Sequence, residues 1–599
     1  MPKFFHSKVI VSFTILAFYL YIFSACDTRS NYDKQQESQK PNVLLIMTDD
    51  QGWGDFGVHG NESVNTPVLN KLAKEGIQFD RFFVSPVCAP TRASLLTGRY
   101  HLRTGTSWVT HRMEVMREDE LTLAELLKSE GYSTGCFGKW HNGEHYPNNA
   151  LGQGFDEFVG FSTGHWNNYF NTSLDSNGVQ IKTSGYISDV LTDASISFIT
   201  RNKNAPFFCY VPYNAPHGPF QVPDKYFDKY IELGFNDKDA CIYGMCENID
   251  ENVDKILNTI DSLNLTENTI VVFLTDNGPN GKRYNGGMKG HKGSVDEGGV
   301  RVPLFIRYPA KFKRAMLIEE NAAHIDILPT IAELCNITIP DTISLDGLSL
   351  VPLMEKDNST NWSDRNIYTH QVHRELHKTP GAIRNDRYRL VYYANKDTLL
   401  YDMLLDPGQT NDISGEYPDI VSEMVEDYDD WYKDVTKLFK GKPPIPVGYR
   451  IQNVAELPVP ESKLFGNLKF KGEMGWANDW IINWNSPKDK VEWNLDVAEE
   501  AEFEIFMQYA LKEEGIGSEI DINIDGKSIS IELMEAQVAE YIPSPDRIPR
   551  GEVYGRNWAI ISIGKTQISA GLKTLQLNVE NMPTKGVFEL KSMVLKRIQ

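Results

Sequence analysis

Asn42-Val43-Leu44-Leu45-Ile46-Met47-Thr48-Asp49-Asp50 decides the fold. The run from Val43 to Met47 is continuously apolar and short, the pattern of a central strand covered on both faces rather than of a half-exposed strand. Tyr132–Phe137, Phe207–Val211 and Ile270–Leu274 repeat it. Helical stretches lie between these runs. Thr66-Pro67 opens one that places Leu69, Leu72 and Ala73 on one face and ends at Gly76, and Leu123–Leu127 with Gly131 follows the same plan. The alternation from Pro41 to about Leu345 predicts an α/β domain, a large, mostly parallel sheet with helices on both faces.

Each apolar run ends in chemistry. Thr48-Asp49-Asp50, Gly138-Lys139-Trp140-His141, Pro216-His217-Gly218 and Asp276-Asn277-Gly278 follow the four strands. Ligands of open α/β sheets bind at the carboxyl ends of strands, so these segments are expected to converge. Taken singly, each reads more readily as a cap or turn, and it is the four together that point to a site. Asp49, Asp50, Asp276 and Asn277 offer only oxygen, which suits Ca²⁺ or Mg²⁺ better than Zn²⁺. Their carboxylates would repel one another without a cation between them. A further candidate is Cys88-Ala89-Pro90-Thr91-Arg92, running on as Ala93-Ser94-Leu95-Leu96-Thr97-Gly98-Arg99. It sets a sulfur at a helix N-terminus, where free N–H groups favour negative charge, with Arg92 directed back toward it. A nucleophile beside a fixed cation suits attack on an anionic oxyacid ester. Without context, a buried structural cysteine fits the same residues.

The pattern Cys-x-Pro-x-Arg followed by Ala-Ser-Leu-Leu-Thr-Gly-Arg resembles the signature of the type I sulfatases, the formylglycine-dependent arylsulfatase family of the alkaline phosphatase superfamily. The resemblance implies that Cys88 is converted to formylglycine, whose hydrate is the nucleophile. "NVLLIMTDDQGWGDFG" and "FLTDNGP" resemble the family's metal segments, implying that Asp49, Asp50, Asp276, Asn277 and residue 88 hold one Ca²⁺. Related two-zinc phosphatases carry Asp-His-Gly where this chain has Asp276-Asn277-Gly278. By the same resemblance Lys139 holds the nucleophile and a sulfate oxygen, His141 takes the proton that lets the covalent sulfate ester of the aldehyde hydrate collapse, and His217 contacts the sulfate and protonates the leaving oxygen. Lys292 in "HKGSVDEGGVRVP" neutralises the bridging oxygen, with Lys289 the competing lysine. "AHIDILPTIAELC" and "LYDMLLDPGQTNDI" resemble structural segments, in which His324 and Asp326 pack or hydrogen-bond. The likeness spans roughly residues 41–438.

Bulk properties set the frame. The chain has 599 residues, a net charge of −21, and 41% hydrophobic and 24% charged residues. That is the make-up of a globular protein of several domains, and one that repels nucleic acid. An anionic substrate needs a local cluster of cations or a metal. Residues 1–26 read as a lipoprotein signal peptide with Lys3, His6 and Lys8 before an apolar run and Ser24-Ala25-Cys26 as lipobox. A plain secreted form and an uncleaved anchor are the alternatives. Residues 27–40 read as a tether, giving an exported periplasmic or outer-membrane lipoprotein of a Gram-negative bacterium, anchored through lipid on Cys26. Cys136, Cys209, Cys241, Cys246 and Cys335 form no disulfide framework; Cys241 and Cys246 read as a pair or as two buried thiols.

The expected division is a catalytic domain over 41–345, a small α+β subdomain over 346–440, a Pro/Gly linker over 441–465 and an all-β sandwich over 466–599. Alternation in Val491–Val497 and Ile520–Ile524, with Asp525-Gly526 as a hairpin turn, points to the sandwich. That module is read as structural, oligomerising or sugar-binding. Trp108, His165 and Trp166 are candidates for substrate contact, with core or rim packing as the alternative for both tryptophans. His101, Arg103, His111, Arg112, Asn167, Asn168, Tyr284 and His291 are weaker candidates. The expected activity is removal of sulfate from a sulfated carbohydrate, after maturation by a formylglycine-generating or anaerobic sulfatase-maturating enzyme. A phosphonate or phosphate ester hydrolase and an inactive glycan-binding relative are the competing readings.

Overall fold

The computed structural model describes residues 40–356, 362, 365–372, 374–395 and 397–598. The expected signal segment, its Cys26 and the tether up to residue 39 lie outside them. Eleven strands form the first sheet: β1 (Asn42–Asp49), β2 (Ile77–Phe83), β3 (Ser133–Lys139), β4 (Glu157–Phe161), β5 (Ser173–Ser176), β6 (Val179–Lys182), β7 (Phe207–Pro216), β8 (Thr269–Thr275), β9 (Arg301–Arg307), β10 (Met316–Ile318) and β11 (Ala322–Ala323). Their order is β10-β2-β9-β8-β1-β7-β3-β4-β5-β6, with β11 beside β2. The central run β8-β1-β7-β3-β4 is parallel, whereas β9, β5 and β6 run antiparallel to neighbours. The mixed, mostly parallel sheet expected from the sequence is therefore present.

β1 lies at the centre, and all of it is buried. Its alternate residues serve two cores, because successive side chains of a strand point to opposite faces. Val43, Leu45 and Met47 pack with Leu95 and Leu96 of α2 (Cys88–Thr97) and with Leu123 and Leu127 of α3 (Leu123–Ser129). Leu44 and Ile46 face Leu69 and Leu72 of α1 (Pro67–Glu75), Leu191 of α4 (Ile187–Asn202) and Ile249 of α5 (Asp237–Ser262). A strand apolar on both faces is thus explained by helices on both sides. The six cysteines among the described residues form no disulfide and are buried, Cys241 and Cys246 within α5.

A four-stranded antiparallel sheet follows: Ile367–His370, Gly381–Arg384, Tyr388–Tyr392 and Thr398–Asp402. The amphipathic helix Pro418–Val435 packs on it through Tyr428 and Trp431. Two further six-stranded sheets then enclose one core containing Trp484, Trp493, Ile505, Leu577 and Leu590. Burial alternates strictly along Lys490–Val497, as a strand with one covered face requires. The segment 441–465, expected to be a linker, belongs to this sandwich. Ile445–Val447 and Lys463–Phe465 pair with Lys490–Val497, and Val454–Pro458 pairs with Phe588–Arg597. Short edge strands tolerate the prolines that made the segment look like a connector.

The described residues from Asn42 onward pack as one unit. Arg112 Nη2 donates to the Pro444 carbonyl at 2.8 Å, the His145 ring meets the Glu456 carbonyl at 2.6 Å, and Gln221 Nε2 donates to Asp546 at 2.7 Å. No helix among the described residues is long and apolar enough to cross a membrane.

Candidate active site

The strand ends do converge. β1 delivers Asp49 and Asp50, β3 Lys139 and His141, β7 His217, and β8 Asp276 and Asn277, on adjacent parallel strands. α2 enters the same point amino end first, with Val87 extended before Cys88. Gly98, at φ 67°, ends this helix with its backbone N–H on the Ser94 carbonyl, a left-handed turn that favours glycine. Gly138 lets β3 pass close to β7, since a Cβ there would lie 2.0 Å from the Pro212 carbonyl oxygen.

Three cations meet three carboxylates. Arg92 Nη2 donates to Asp276 Oδ2 at 2.9 Å and Nη1 to the Lys139 carbonyl at 2.7 Å. Lys139 Nζ lies 2.5 Å from Asp49 Oδ2, and Lys292 Nζ lies 2.6 Å from Asp50 Oδ1. His217 Nε2 stands 3.7 Å from Asp50 Oδ2. Asp50 also accepts from Asn277 Nδ2 and Asn280 Nδ2, both at 3.0 Å. Burial alone would raise the Asp49 carboxyl, but Lys139, His217 and Arg92 hold it well below the usual carboxylate range. Asp276 behaves oppositely: burial and the neighbouring Asp49 push it up to about 7. Burial likewise raises the Cys88 thiol despite Lys139 and Lys292 nearby. The thiolate is thus disfavoured at neutral pH, and an unmodified Cys88 is a poor nucleophile.

The donor set fits a hard cation. Carboxylate oxygens of Asp49 and Asp276 lie within 4.8 Å of each other and of the residue 88 side chain, and an Asp49 and an Asp50 oxygen are as close, so the carboxylates offer oxygen to one point. Asp49 Oδ1 and Asn277 Oδ1 are buried and lack a hydrogen-bond partner. Orphaned oxygens at this depth are costly unless a cation takes them. A positive charge there would also relieve the strain on ionised Asp276.

Two residues of the site hold left-handed backbone, Asp50 at φ 65° and His141 at φ 63°. Such strain concentrates where surrounding contacts over-determine a functional geometry. The Asp50 N–H is fixed by Asp276 Oδ1 at 3.1 Å. His141 Nε2 meets the Val109 carbonyl at 2.9 Å, which sets Nε2 as the donor, and Nδ1 has no partner. Burial, with Lys139 alongside, holds the ring well below the usual histidine value, so it is neutral. Gly164 makes room for it, because a Cβ there would lie 2.3 Å from Nε2. The His217 Nδ1–H is engaged by the Gly218 carbonyl at 2.7 Å, leaving Nε2 toward Asp50.

A cavity of about 230 Å³ opens over these groups. Cys88, His141, His217 and Lys292 line it, together with Trp108 and His165. Trp166, expected beside them, lies instead in an adjoining cleft, stacked on Phe161 at 5.1 Å, because its neighbour His165 takes the inner position. Lys289 is elsewhere, donating to the Tyr401 hydroxyl at 2.9 Å, and this leaves Lys292 as the lysine of the site. Among the weaker candidates, His101, Arg103, His111 and Arg112 are engaged within the protein. Arg103 pairs with Asp346 at 3.0 Å and also with Asp434, and His111 meets the Pro460 carbonyl at 2.6 Å. His101 bonds the Thr106 carbonyl at 2.8 Å. His324 bonds Ser85 Oγ at 3.1 Å, and Asp326 pairs with Arg365.

Sequence reading missed Asn280, Trp476, Ala477 and Glu552, all of which line the cavity. Asn280 was within reach, four residues past Asp276 in the same strand-end loop. Trp476, Ala477 and Glu552 come from aperiodic loops of the sandwich and carry no local signal.

Comparison with known proteins agrees with this geometry. Residues 41–337 match the sulfatase family, and residues 291–433 match the family described as N-sulphoglucosamine sulphohydrolase, C-terminal. An ulvan-active sulfatase of Formosa agariphila is 31% identical over 68% of this chain and 82% of its own. The N-acetylgalactosamine-6-sulfatase of Canis lupus familiaris is 32% identical, over 53% of this chain and 66% of that one. Among solved structures, Ps i-CgsB in complex with k-i-k-neocarrahexaose matches with a TM-score of 0.63 and 29% identity, over 68% of this chain and 95% of that one.

Proposed function

We propose that this chain, which belongs to the type I sulfatases of the alkaline phosphatase superfamily and is a sulfuric ester hydrolase, removes sulfate from a sulfated poly- or oligosaccharide using formylglycine at position 88 and one Ca²⁺. The observation that carries the reading is the meeting of the Cys88 helix start, four oxygen-bearing side chains and Lys139, His141, His217 and Lys292 around one buried point. The carbohydrate follows from two relatives named for sulfated glycans and a neighbour solved with a neocarrahexaose.

Asp49, Asp50, Asp276, Asn277 and residue 88 would hold the cation. Oxidised to formylglycine and hydrated, residue 88 supplies the nucleophilic hydroxyl, and the Ca²⁺ supplies charge that favours its ionised form. The chain's own groups do the rest. Arg92 clamps Asp276 and the Lys139 carbonyl, so carboxylates and lysine keep their positions as charge shifts. Lys139 and Lys292 are fixed cations for the sulfuryl oxygens, and removing one such preorganised partner costs about 10²–10³ in rate. His217, with Nδ1 tied to a carbonyl, presents Nε2; as imidazolium it gives that proton to the sugar oxygen as the S–O bond breaks. His141 is neutral with Nδ1 unpartnered, and so accepts the proton that permits sulfate to leave. We place the enzyme at the cell envelope as an exported lipoprotein, matured by a formylglycine-generating or anaerobic sulfatase-maturating enzyme.

The test is twofold. A peptide spanning position 88 is expected to carry an aldehyde in place of the thiol, and the enzyme to cleave sulfate esters faster than matched phosphate esters. Full activity with an intact Cys88 thiol, or a clear preference for phosphate, overturns the reading.

A further inference from the structure

A second cavity, of about 480 Å³, lies in the seam between the catalytic lobe and the sandwich. Its volume is in the range of small-molecule sites, and it abuts the first cavity. Three stretches of chain line both. His165, Ala477 and Glu552 face the Cys88 cavity, while Trp166, Asn478 and Tyr554, one or two residues on, face the seam cleft. Consecutive Cα atoms are only about 3.8 Å apart, so the two spaces share a wall. The wall is fixed: Asn478 Nδ2 donates to the His165 carbonyl at 3.2 Å, and Arg550 Nη1 to the Asn167 carbonyl at 2.9 Å.

The lining chemistry is specific. Lys182, Arg556 and Lys591 line the cleft and no aspartate or glutamate does, in a chain of net charge −21. Lys182 is exposed and has no carboxylate partner among the described residues. Arg556 is held by Glu589 and lies 4.8 Å over the Trp558 ring. Trp166, Tyr554 and Trp558 offer flat apolar faces, and five asparagines offer paired donors and acceptors. Rings for stacking, amides for hydroxyl groups and an exposed Lys182 without a carboxylate partner make a surface for a sugar that bears negative charge.

We propose that this seam cleft is a subsite for the neighbouring residues of an anionic oligosaccharide whose sulfated residue occupies the Cys88 cavity, and that the sandwich module is a working part of substrate recognition. The inference rests on the function proposed above and extends it to a region outside the matches to the sulfatase families, which end at residue 433. It makes the enzyme selective for a chain over a single sugar.

The experiment compares a small aryl sulfate, which needs only the Cys88 cavity, with a panel of sulfated hexasaccharides from carrageenan, ulvan and chondroitin sulfate. The parent is expected to prefer at least one hexasaccharide over its monosaccharide sulfate. Lys182→Glu and Trp558→Ala are expected to raise KM for that hexasaccharide about tenfold, with aryl sulfate kinetics within about twofold and Lys182→Arg restoring the parent value. Lys182 is on the surface, so its variants test the idea even if Trp558→Ala fails to fold. Hydrolysis of the aryl sulfate with no gain from chain length, or equal losses on both substrates, overturns the subsite and leaves the sulfatase standing. No hydrolysis of any sulfate ester by the matured enzyme overturns both.

Discussion

The two lobes meeting at the Cys88 cavity build their shares of it by opposite means. The catalytic sheet contributes charges at the ends of buried strands; Asp49, Arg92 and Asp276 have no exposure, and each engages a partner across the site. The sandwich contributes Trp476, Ala477 and Glu552 from loops, set in place by contacts between lobes such as Asn478 to His165. Fixed charge in a dry setting is what sulfuryl transfer needs, because its partners must be in place before the charge develops. Shape and hydrogen bonding at a partly open rim suit the choice of substrate, where loop changes alter affinity without disturbing the chemistry. Glu552 joins the two: burial opposes its charge, yet His165 and His217 hold its carboxyl below the usual value.

The contrast breaks most directly at Cys88. Cys88→Ala is expected to lower sulfate release by about 10⁴-fold or more with the melting temperature nearly unchanged, and residual turnover near the parent rate would remove the catalytic sheet from its assigned part. Chelation by EDTA comes next, with activity expected to fall about 10³-fold and to return with Ca²⁺; full activity in a demonstrably metal-free protein would leave the orphaned Asp49 and Asn277 oxygens unexplained. Trp493 sharpens the other side. Its ring is fully buried and its Nε1–H donates to the Pro458 carbonyl at 2.9 Å. Trp493→Ala is expected to cost about 3–4 kcal/mol in denaturant unfolding, while aryl sulfate turnover by the folded fraction changes little. A proportionate collapse of aryl sulfate turnover would show the lobes to be inseparable.

The smallest effect lies in the seam itself. Burial and Glu461 push Glu114 up to about 7. The folded state then binds its proton more tightly than the unfolded chain, so stability falls as pH rises from about 4.5 to about 7 and levels off beyond. Glu114→Gln is expected to flatten that slope by on the order of 2 kcal/mol, read from urea midpoints at pH 5 and pH 8. An unchanged slope would assign the pH dependence to other groups of the seam, such as Glu144.

The catalytic strands were legible because a strand buried on both faces must be a contiguous apolar run, and β1 shows how sharply it stops at Asp49. Spacing to Glu297 favoured Lys292 over Lys289 in the sequence; the fold separates them physically by sending Lys289 to Tyr401. The polar run around His111 and Arg112 looked available for substrate, but its partners are carbonyls at Pro460, Pro443 and Pro444, more than 300 residues away. Residues 441–465 looked like a connector because short edge strands with proline carry little periodicity.

By itself, the sequence determined the α/β sheet, the residues at its strand ends and the sulfatase likeness, since each of these is written in a local run of residue types. Tertiary structure alone decided that the C-terminal sandwich closes the cavity. Trp476, Ala477 and Glu552 reach it through the packing of two lobes, and contacts so distant in sequence leave no periodic or compositional trace in the loops that make them.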